Sequence, residues 1–336
     1  MKASVVIPVY NKAPFLKECM DSVLAQTFTD IEVIAVDDRS TDESMEILRS
    51  YTDPRLKVIQ MERNSGPGLA AQAGHDTAQG EYIVRVDADD IQHPERFAEQ
   101  IAFMDRHPSV GVSGTAMQRL NNRSLMMPPL TDRACRAASI FIVPVLQPSM
   151  ILRREVLVRH GVKYEAHWPR YGEDWLLLLR LFPHTEFANL PEILVTYREG
   201  GISSGRDTDD MHLLFRAAFK AFALPTPTTE ELHLHAMIVK HFHDPPDAAA
   251  IRKFHGWLGY LKEWNDRNRI FAKKEFDARL AAAWTELFYF LPPFGPGPVW
   301  EYLRLKGEFS FARLYYMIRT LDLRPDRSKF SRARRV

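Results

Sequence analysis

Short apolar runs alternate with helical patterns through the first 120 residues, and this alternation restricts the fold more than any other feature of the chain. The apolar runs, each with the helical pattern that follows it, occupy residues 4–9 and 15–26, 31–36 and 42–51, 56–61 and 68–78, and 81–86 and 94–106. Strands and helices that alternate at steps of about 25 residues are typical of βαβ units. The sequence therefore predicts an α/β fold, with a Rossmann-like, mostly parallel mixed sheet flanked by helices.

Polar and acidic residues follow each of the four apolar runs. They occupy residues 10–12, 37–42, 62–66 and 87–90. Parallel strands end at the same edge of a sheet, and ligands of such folds bind at the carboxyl ends of the strands. We therefore expect the four polar segments to form one ligand site.

The segment Asp87-Ala88-Asp89-Asp90 brings three carboxylates into four residues. Like charges this close repel one another unless a positive charge offsets them. Mg²⁺ or Mn²⁺ would do so, because these ions take one or two carboxylates and complete their shell with water and phosphate oxygens. Such an ion acts as a Lewis acid towards a leaving diphosphate. The alternative is an acidic turn that caps the helix starting near Pro94.

Two further polar segments suit a nucleotide. The ring of Tyr10 suits stacking on a base, with ordinary packing as the alternative. The carboxylate of Asp38 suits hydrogen bonds to a base edge or a ribose hydroxyl. Residues 40–43 are expected to cap the helix that follows, because Ser, Thr and Asp favour that position and acidic residues suit its positive end.

The pair Glu173-Asp174 opens an apolar helical pattern over residues 175–182. A helix N-terminus stabilises a carboxylate as the anion. The anion is the form that a general base needs to take a proton from a sugar hydroxyl. A simple helix-terminal charge is the alternative.

Two other patterns suggest different chemistry. Residues 66–71 match the G-x-G-x-x-G/A pattern of dinucleotide-binding turns, so a nicotinamide-dependent oxidoreductase is an alternative enzyme. However, this motif follows the third apolar run, and Pro67 removes one backbone N–H from a phosphate cradle. The histidines at 233, 235, 241 and 243 invite a metal site, but residues two apart on a helix face different directions, so we expect a solvated helix.

Composition excludes some classes of protein. The net charge is +1 over 336 residues, which gives no field for nucleic acid. The two cysteines, Cys19 and Cys135, form neither a disulfide framework nor a metal-ligand pair, which favours a reducing, cytoplasmic location. The chain has no signal peptide pattern and no uncharged apolar stretch of about 18 residues, so no membrane span is expected.

The character of the sequence changes near residue 205, where long helical patterns replace strand signals. This change predicts a catalytic domain at 1–205, with a nucleotide-binding half at 1–115 and an acceptor half at 116–205, and a helical region at 206–336. Aromatic residues cluster at 284–300, and the last 13 residues contain six Lys or Arg and one Asp. Two interpretations remain open: peripheral contact with the inner face of the cell membrane, or ordinary helix packing with a disordered basic end.

With these motifs established, the chain resembles the family-two glycosyltransferases, which have the glycosyltransferase A fold. The resemblance covers roughly residues 3–200 and rests on several motifs in the family's order. They are Ser4-Val5-Val6-Ile7-Pro8-Val9-Tyr10-Asn11, Val23-Leu24-Ala25-Gln26-Thr27, Asp37-Asp38-Arg39-Ser40-Thr41-Asp42, Asn64-Ser65-Gly66, Gly80-Glu81-Tyr82-Ile83, Asp87-Ala88-Asp89-Asp90 and Glu173-Asp174. Two departures are Arg39, where the family usually has Gly, and Ala71-Gln72, where it often has Arg-Asn.

The resemblance implies an inverting, metal-dependent enzyme that moves a sugar from a nucleoside diphosphate, most simply a UDP-sugar, to a hydroxyl of a saccharide or lipid-linked acceptor. It implies a role in cell-surface polysaccharide or glycolipid synthesis. Asp174 would be the general base, and Asp89 and Asp90 would bind Mn²⁺ or Mg²⁺. The nucleotide-sugar site would include Pro8, Tyr10, Asp38, Arg39, Asn64, Gly66, Asp87, Ala88 and Asp89. A sugar-nucleotide-binding or scaffold protein without turnover is the alternative outside the enzymes.

Overall fold

The computed structural model describes residues 1–199, 208–305 and 311–320. The chain divides into two compact units, one formed by Met1–Cys135 and Val143–Ser203, the other by Arg136–Ile142 and Ser204–Val336. The domain boundary predicted near residue 205 and the basic end of the chain lie outside the described residues.

Among the described residues of the first unit, nine strands form one sheet. They are β1 (Ala3–Val9), β2 (Ile31–Asp37), β3 (Leu56–Gln60), β4 (Tyr82–Arg85), β5 (Ile91–Gln92), β6 (Val110–Arg119), β7 (Leu125–Met126), β8 (Ile151–Arg153) and β9 (Glu186–Tyr197). The helices up to the end of β9 are α1 (Ala13–Leu24), α2 (Ser44–Ser50), α3 (Pro67–Thr77), α4 (Arg96–Arg106), α5 (Asp132–Ala138), α6 (Arg154–His160) and α7 (Glu173–Leu181). Strands and helices alternate through β4, as the apolar runs predict.

The strand order is β3-β2-β1-β4-β8-β6-β9-β5, with β7 paired to β6. The four strands predicted first lie side by side and run parallel. Beyond β4 the sheet becomes mixed, because β8 runs antiparallel to both β4 and β6, whereas β6 and β9 are parallel. The predicted α/β fold, with a Rossmann-like mixed sheet flanked by helices, is confirmed.

The parallel strands form the core of the first unit. All seven residues of β2 are buried, and β1 is buried apart from the partly exposed Pro8. A strand covered on both faces needs apolar side chains at successive positions, which explains the continuous Val and Ile runs in the sequence. Each such side chain stabilises the fold by about 1.5–3 kcal/mol through burial. This core fixes the edge at which the strands end.

The apolar run at residues 145–152 predicts a further strand, and this prediction is largely wrong. Gln147–Ser149 forms a 3₁₀ turn, and only Ile151–Arg153 is a strand. The ring of Pro148 fixes its φ angle and supplies no N–H to a ladder, which favours the turn over an inner strand. The turn buries Ser149, whose hydroxyl accepts a 3.0 Å hydrogen bond from the Thr115 amide.

The described part of the second unit is helical. Its helices are α8 (Thr208–Ala221), α9 (Thr229–Ala236), α10 (Ala248–Asn268), α11 (Lys273–Leu287), α12 (Pro296–Arg304) and α13 (Phe311–Thr320), with 3₁₀ turns at Met237–Val239, Phe288–Phe290 and Pro292–Phe294. None of the helices in the described parts of the chain combines the length and apolar character that crossing a membrane requires.

The solvated helix expected to carry the histidines at 233, 235, 241 and 243 is also wrong. Helix α9 ends at Ala236, and Lys240 has a positive φ of 62°, which stops helical propagation. His235 is fully buried, and its ring packs against aromatic rings that include those of Phe141 and Phe215. The position of His235 is therefore one of core packing, which polar residue type alone does not reveal.

Candidate active site

The loops after β1 and β2 are joined by hydrogen bonds. The Asn11 side-chain oxygen accepts a 2.8 Å bond from the Thr41 amide, and the Ser40 hydroxyl accepts a 3.1 Å bond from the Asn11 amide. Asn11 and Arg39 both have positive φ angles, of 51° and 64°, which non-glycine residues rarely adopt. Their side chains are exposed, as is that of Tyr10. These hydrogen bonds therefore hold the two loops together at the carboxyl ends of β1 and β2.

Asp42 holds the helices on each side of this edge. Its two carboxylate oxygens each accept a 3.0 Å hydrogen bond, one from the Ala13 amide at the start of α1 and one from the Ser44 amide at the start of α2. Of residues 40–43, which were expected to cap α2, Asp42 does so through the Ser44 amide, whereas Ser40 and Thr41 bond to Asn11 of the first loop.

Asp38 connects the second loop to the third. One oxygen of its buried carboxylate accepts a 2.7 Å bond from the Ser65 amide, and the other accepts a 2.7 Å bond from the Gly66 amide. Burial raises the pKa of Asp38, while these two amides act in the opposite direction. A carboxylate offers about four acceptor positions, so Asp38 has capacity left for a ligand after holding this loop.

The glycines of the dinucleotide-like motif are explained by close packing. Gly66 has a φ of 94°, and a Cβ atom there would lie 3.3 Å from Cγ of Arg170. A Cβ atom on Gly68 would lie 3.0 Å from Cγ of Glu173. Arg170 also donates a 3.4 Å bond to the carbonyl of Asn64. The segment before α7 therefore lies directly against the loop after β3.

The carboxylates of Asp87 and Asp89 have different cationic partners. Nε of Arg85 donates a 3.0 Å hydrogen bond to Asp87, and Lys12 forms an ion pair with Asp89. The Asp89 side chain is 14% exposed. Both carboxylates thus lie at the edge of the sheet with part of their surface accessible.

Asp90 is enclosed instead. Its side chain is fully buried and accepts a 2.8 Å bond from the Arg198 amide, and Nε of Arg198 donates a 3.0 Å bond to the Asp89 carbonyl. Burial, with the charge of Asp87, raises the pKa of Asp90 to about 8. Asp90 therefore connects the acidic loop to the segment after β9.

The pair Glu173-Asp174 begins α7, after Gly172 with a φ of 78°. Burial is the main cause that raises the pKa of both carboxyl groups above the ordinary range. The backbone amides at the start of the helix lower the pKa of Asp174, as expected, but burial outweighs them and the net shift is upward. Gln147 donates a 3.2 Å hydrogen bond to Glu173.

Asp87 and Asp174 belong to one electrostatic site. The charge of Asp87 raises the pKa of Asp174, and the guanidinium of Arg85 lowers it, after the larger effect of burial. Arg85 acts in the same direction on Glu173. The structure therefore brings the acidic loop after β4 to the start of α7, although these segments lie almost 90 residues apart in the chain.

The oxygen-rich edge fits a small divalent cation. Within residues 1–199, 208–305 and 311–320, no group of three or more His, Cys, Asp or Glu side chains is arranged to hold a metal ion. Mg²⁺ and Mn²⁺ do not need such a group, because water and phosphate oxygens fill most of their shell. Asp89 is the accessible ligand of the two predicted, whereas Oδ2 of Asp90 is buried and has no hydrogen-bond partner among the described residues.

Several side chains at the site were not found from the sequence. Arg85 left a signal, since it is a charged residue within an otherwise apolar strand pattern. Lys12 lies in the first polar segment, but the sequence does not reveal its partner Asp89. Arg198 left no signal, because its bond to the acidic loop depends on how distant segments meet.

The chain is similar to proteins that are described as glycosyltransferases. The model of the family described as "Glycosyl transferase family 2" matches residues 4–160. EpsE of Bacillus subtilis is 38% identical over 269 residues, which cover 76% of this chain and 93% of EpsE. The amylovoran biosynthesis glycosyltransferase AmsE of Erwinia amylovora is 31% identical over 205 residues, covering 59% of this chain and 76% of AmsE.

A third relative has known structures. The poly(ribitol-phosphate) beta-N-acetylglucosaminyltransferase TarS of Staphylococcus aureus is 31% identical over 188 residues, covering 54% of this chain. The match spans only 32% of the length of TarS. The crystal structure of TarS residues 1–349 with UDP superposes with a TM-score of 0.57 and 25% identity, and covers 70% of this chain and 69% of that one.

Proposed function

The chain belongs to glycosyl transferase family 2, and on this premise we propose that it is an inverting enzyme that transfers a sugar from a UDP-sugar to a hydroxyl acceptor. The observation that carries the proposal is that the charge of Asp87, on the acidic loop, acts on the pKa of Asp174, at the start of α7. The first belongs to the predicted donor side and the second to the predicted acceptor side. Transfer in a single displacement requires these two sides to share one site.

The donor would bind along the ends of the parallel strands. Tyr10 is 42% exposed and can stack on a base. Asp38 retains acceptor capacity for the base or the ribose while it holds the loop at Ser65 and Gly66. Pro8, Arg39, Asn64 and Ala88, which the family resemblance assigns to the nucleotide-sugar site, are part of this proposal. The UDP complex of TarS supports UDP as the nucleotide of the donor.

A divalent metal would be held through Asp89 at the accessible edge of the acidic loop. When bound, Mn²⁺ or Mg²⁺ supplies Lewis-acid stabilisation of the charge on the leaving diphosphate. Asp90, the second predicted ligand, stabilises this loop by accepting a hydrogen bond from the Arg198 amide. Within the protein, Lys12 forms an ion pair with Asp89, and Arg85 forms one with Asp87.

Asp174 would act as the general base. Its carboxylate takes the proton of the acceptor hydroxyl while the hydroxyl oxygen bonds to the anomeric carbon. The bond from that carbon to the diphosphate oxygen breaks in the same step, and the nucleoside diphosphate leaves with the electron pair. Attack from the side opposite the leaving group inverts the anomeric centre, so no covalent enzyme intermediate is formed.

Asp174→Asn separates binding from chemistry. The amide preserves the shape of the side chain but cannot accept the proton, so we expect UDP and Mn²⁺ binding to persist and transfer to fall by at least 100-fold. Calorimetry with UDP and detection of the glycosylated acceptor are the measurements. Transfer at the wild-type rate would refute the role of Asp174.

We propose a saccharide or lipid-linked acceptor in polysaccharide or glycolipid synthesis. AmsE is a glycosyltransferase of amylovoran biosynthesis, and TarS acts on poly(ribitol-phosphate). Both relatives therefore act in the synthesis or modification of polymers. A cytoplasmic enzyme that uses lipid-linked acceptors must work at the inner face of the membrane. Peripheral contact there is part of the proposal.

Exposed aromatic side chains in the second unit support membrane contact. Trp300 in α12 is 69% exposed, and Phe311 and Tyr315 in α13 are 88% and 61% exposed. Aromatic residues beside basic ones suit the interface of an anionic bilayer. The Trp300→Ala variant should sediment less with vesicles that contain anionic lipid than the wild type does. Equal sedimentation of Trp300→Ala, and of a chain ending at Arg324, would refute the contact.

A further inference from the structure

Arg85 is a buried cation at the end of β4. Its side chain is 4% exposed, and its Nε donates a 3.0 Å hydrogen bond to Asp87. Nη1 of Arg85 is buried and has no hydrogen-bond partner in the described parts of the chain. Burying a guanidinium costs several kcal/mol unless nearby groups compensate. The compensation must therefore come from the charges that surround Arg85.

Those charges lie on both sides of the proposed reaction. Burial lowers the pKa of Arg85, but Asp87, Tyr164 and Glu173 act in the opposite direction and leave it raised. Arg85 in turn lowers the pKa of Glu173 and of Asp174. One guanidinium thus interacts with a carboxylate of the acidic loop and with both carboxyl groups at the start of α7.

The surroundings of Arg85 are closed and lack neutralising groups. The rings of His75 and Tyr164 lie 5.6 Å apart, and Nε2 of His75 and the Tyr164 hydroxyl are buried without hydrogen-bond partners among residues that the structure describes. Burial and the charge of Arg85 lower the pKa of His75 to about 3, so His75 stays neutral. Arg85 is therefore the cation on which this enclosed cluster depends.

We propose that Arg85 is a positioning residue that holds Asp87 and the Glu173-Asp174 pair in one arrangement, so that the base faces the sugar of the bound donor. This inference rests on the proposed function, since it assigns a role in the same transfer. Arg85 touches neither the donor nor the acceptor, because its side chain is almost fully buried. Its effect passes through the carboxylates.

The physical reason is the balance of charge. Asp87, which Arg85 contacts, and the Glu173-Asp174 pair, on which its charge acts, repel one another, and loss of the guanidinium strengthens the repulsion. The carboxyl groups then move apart, which removes the base from its place. A displacement of about 1 Å at a reacting group lowers turnover by about 100-fold. Lysine would restore the charge but not the planar fork of donors.

The test compares Arg85→Met and Arg85→Lys with Arg153→Met. Arg153, the control, is also a buried arginine and lies on the neighbouring strand β8. It donates hydrogen bonds to the Tyr82 hydroxyl at 3.2 Å and to the Met104 carbonyl at 3.0 Å. It lies opposite Tyr82, at the other end of β4 from Arg85. Its replacement should lower the melting temperature without changing the site.

For Arg85→Met we expect kcat to fall by about 100-fold, with KM for the donor and Kd for UDP within about threefold of the wild type. Arg85→Lys should recover part of kcat, and Arg153→Met should keep it within about threefold. If Arg85→Met does not fold, Arg85→Lys still decides, through a kcat about tenfold lower at unchanged KM. Wild-type kcat in the folded Arg85 variants, or parallel losses of kcat and UDP affinity, would overturn the proposal.

A crystal structure of the best-folded Arg85 variant separates this proposal from the proposed function. The expected result is a Glu173-Asp174 segment that has moved relative to Asp87, with the loops at Asp38 and Gly66 unchanged. Unmoved carboxylates would overturn the positioning role even if no acceptor is found. Failure of the wild type to transfer sugar to any acceptor tested would count against the proposed function instead.

Discussion

Lys12, in the loop after β1, forms an ion pair with Asp89, in the loop after β4. The pair connects loops at the carboxyl ends of two adjacent parallel strands. Lys12 places a positive charge beside Asp89, as the proposed metal would do in the donor complex. The metal therefore has to share Asp89 with Lys12 or displace it.

Lys12→Met should strengthen binding of Mn²⁺ to the protein without donor. Removing a partly exposed ion pair frees Asp89 and is worth about 1 kcal/mol, or about fivefold in affinity. The measurement is titration of free Mn²⁺ by electron paramagnetic resonance. Lys17→Met is the matched control, because Lys17 pairs with Asp21 on the surface of α1. Unchanged or weaker Mn²⁺ binding in Lys12→Met would contradict competition between Lys12 and the metal.

Asp38→Ala should release the loop after β3. The amides of Ser65 and Gly66 lose their acceptor, and a buried hydrogen bond is worth about 1–3 kcal/mol, so their hydrogen exchange should speed up by about tenfold or more. UDP affinity should fall in the same variant. Exchange of the Ala70 amide, which donates to the Gly66 carbonyl, serves as the internal reference. Equal protection of both loop amides would show that Asp38 does not hold the loop.

Asp174→Asn should stabilise the protein at high pH. Because burial raises the pKa of Asp174 in the folded state, the folded chain binds the proton more tightly than the unfolded chain does. Stability is therefore lost as pH rises through the folded pKa, and the amide variant avoids this loss. Urea unfolding without metal or donor should show a gain of about 1–3 kcal/mol at pH 8.

The gain should disappear near pH 3, where Asp174 is protonated in both folded and unfolded chains. Such a result would show that the ionised Asp174 lowers the free energy of unfolding at neutral and high pH. A variant less stable than the wild type at pH 8 would contradict the assignment of burial as the dominant cause.

His235 should make the second unit sensitive to acid. Its Nε2 lies 2.7 Å from the Ile140 carbonyl, and its Nδ1 accepts a 3.3 Å bond from the indole N–H of Trp257, so both nitrogens are satisfied in the neutral ring. Burial lowers the pKa of His235 to about 4, below the ordinary value near 6.5. The unfolded chain takes up the proton first, so stability is complete above about pH 6.5 and falls as pH drops towards 4.

Replacing His235 by Gln keeps a donor and removes the titration. At pH 5 the wild type should have lost about 2 kcal/mol that His235→Gln does not lose, measured by denaturant unfolding relative to pH 7.5. His255→Gln, at an exposed histidine of α10, should behave as the wild type. Identical pH profiles for the wild type and His235→Gln would refute the effect.

The sequence predicted the parts of the fold that repeat a strong local pattern. Buried parallel strands such as β2 need apolar residues on both faces, and their ends locate the acidic loop without knowledge of the contacts. The strand expected at 145–152 failed, because apolar character alone cannot separate an inner strand from a buried turn at Pro148. The position of His235 failed for a related reason, since burial depends on aromatic rings from other segments.

The site was predicted in residue types more than in interactions. Asp38, Asp89 and Asp174 were identified, but their partners come from distant parts of the chain. The sign of the pKa shift at Asp174 also depends on burial, which a helix-terminal pattern does not report. The ion pairs of Lys12 with Asp89 and of Arg85 with Asp87 are seen only in the structure.

The central claim is that Asp174 is the base of a single displacement from a nucleotide sugar. The most direct measurement is the anomeric configuration of the product, by nuclear magnetic resonance, from a UDP-sugar and Mn²⁺ with the wild type and Asp174→Asn. We predict a product of inverted configuration from the wild type, with transfer at least 100-fold slower in Asp174→Asn while UDP binding persists. A product of retained configuration, or undiminished transfer by Asp174→Asn, would contradict it.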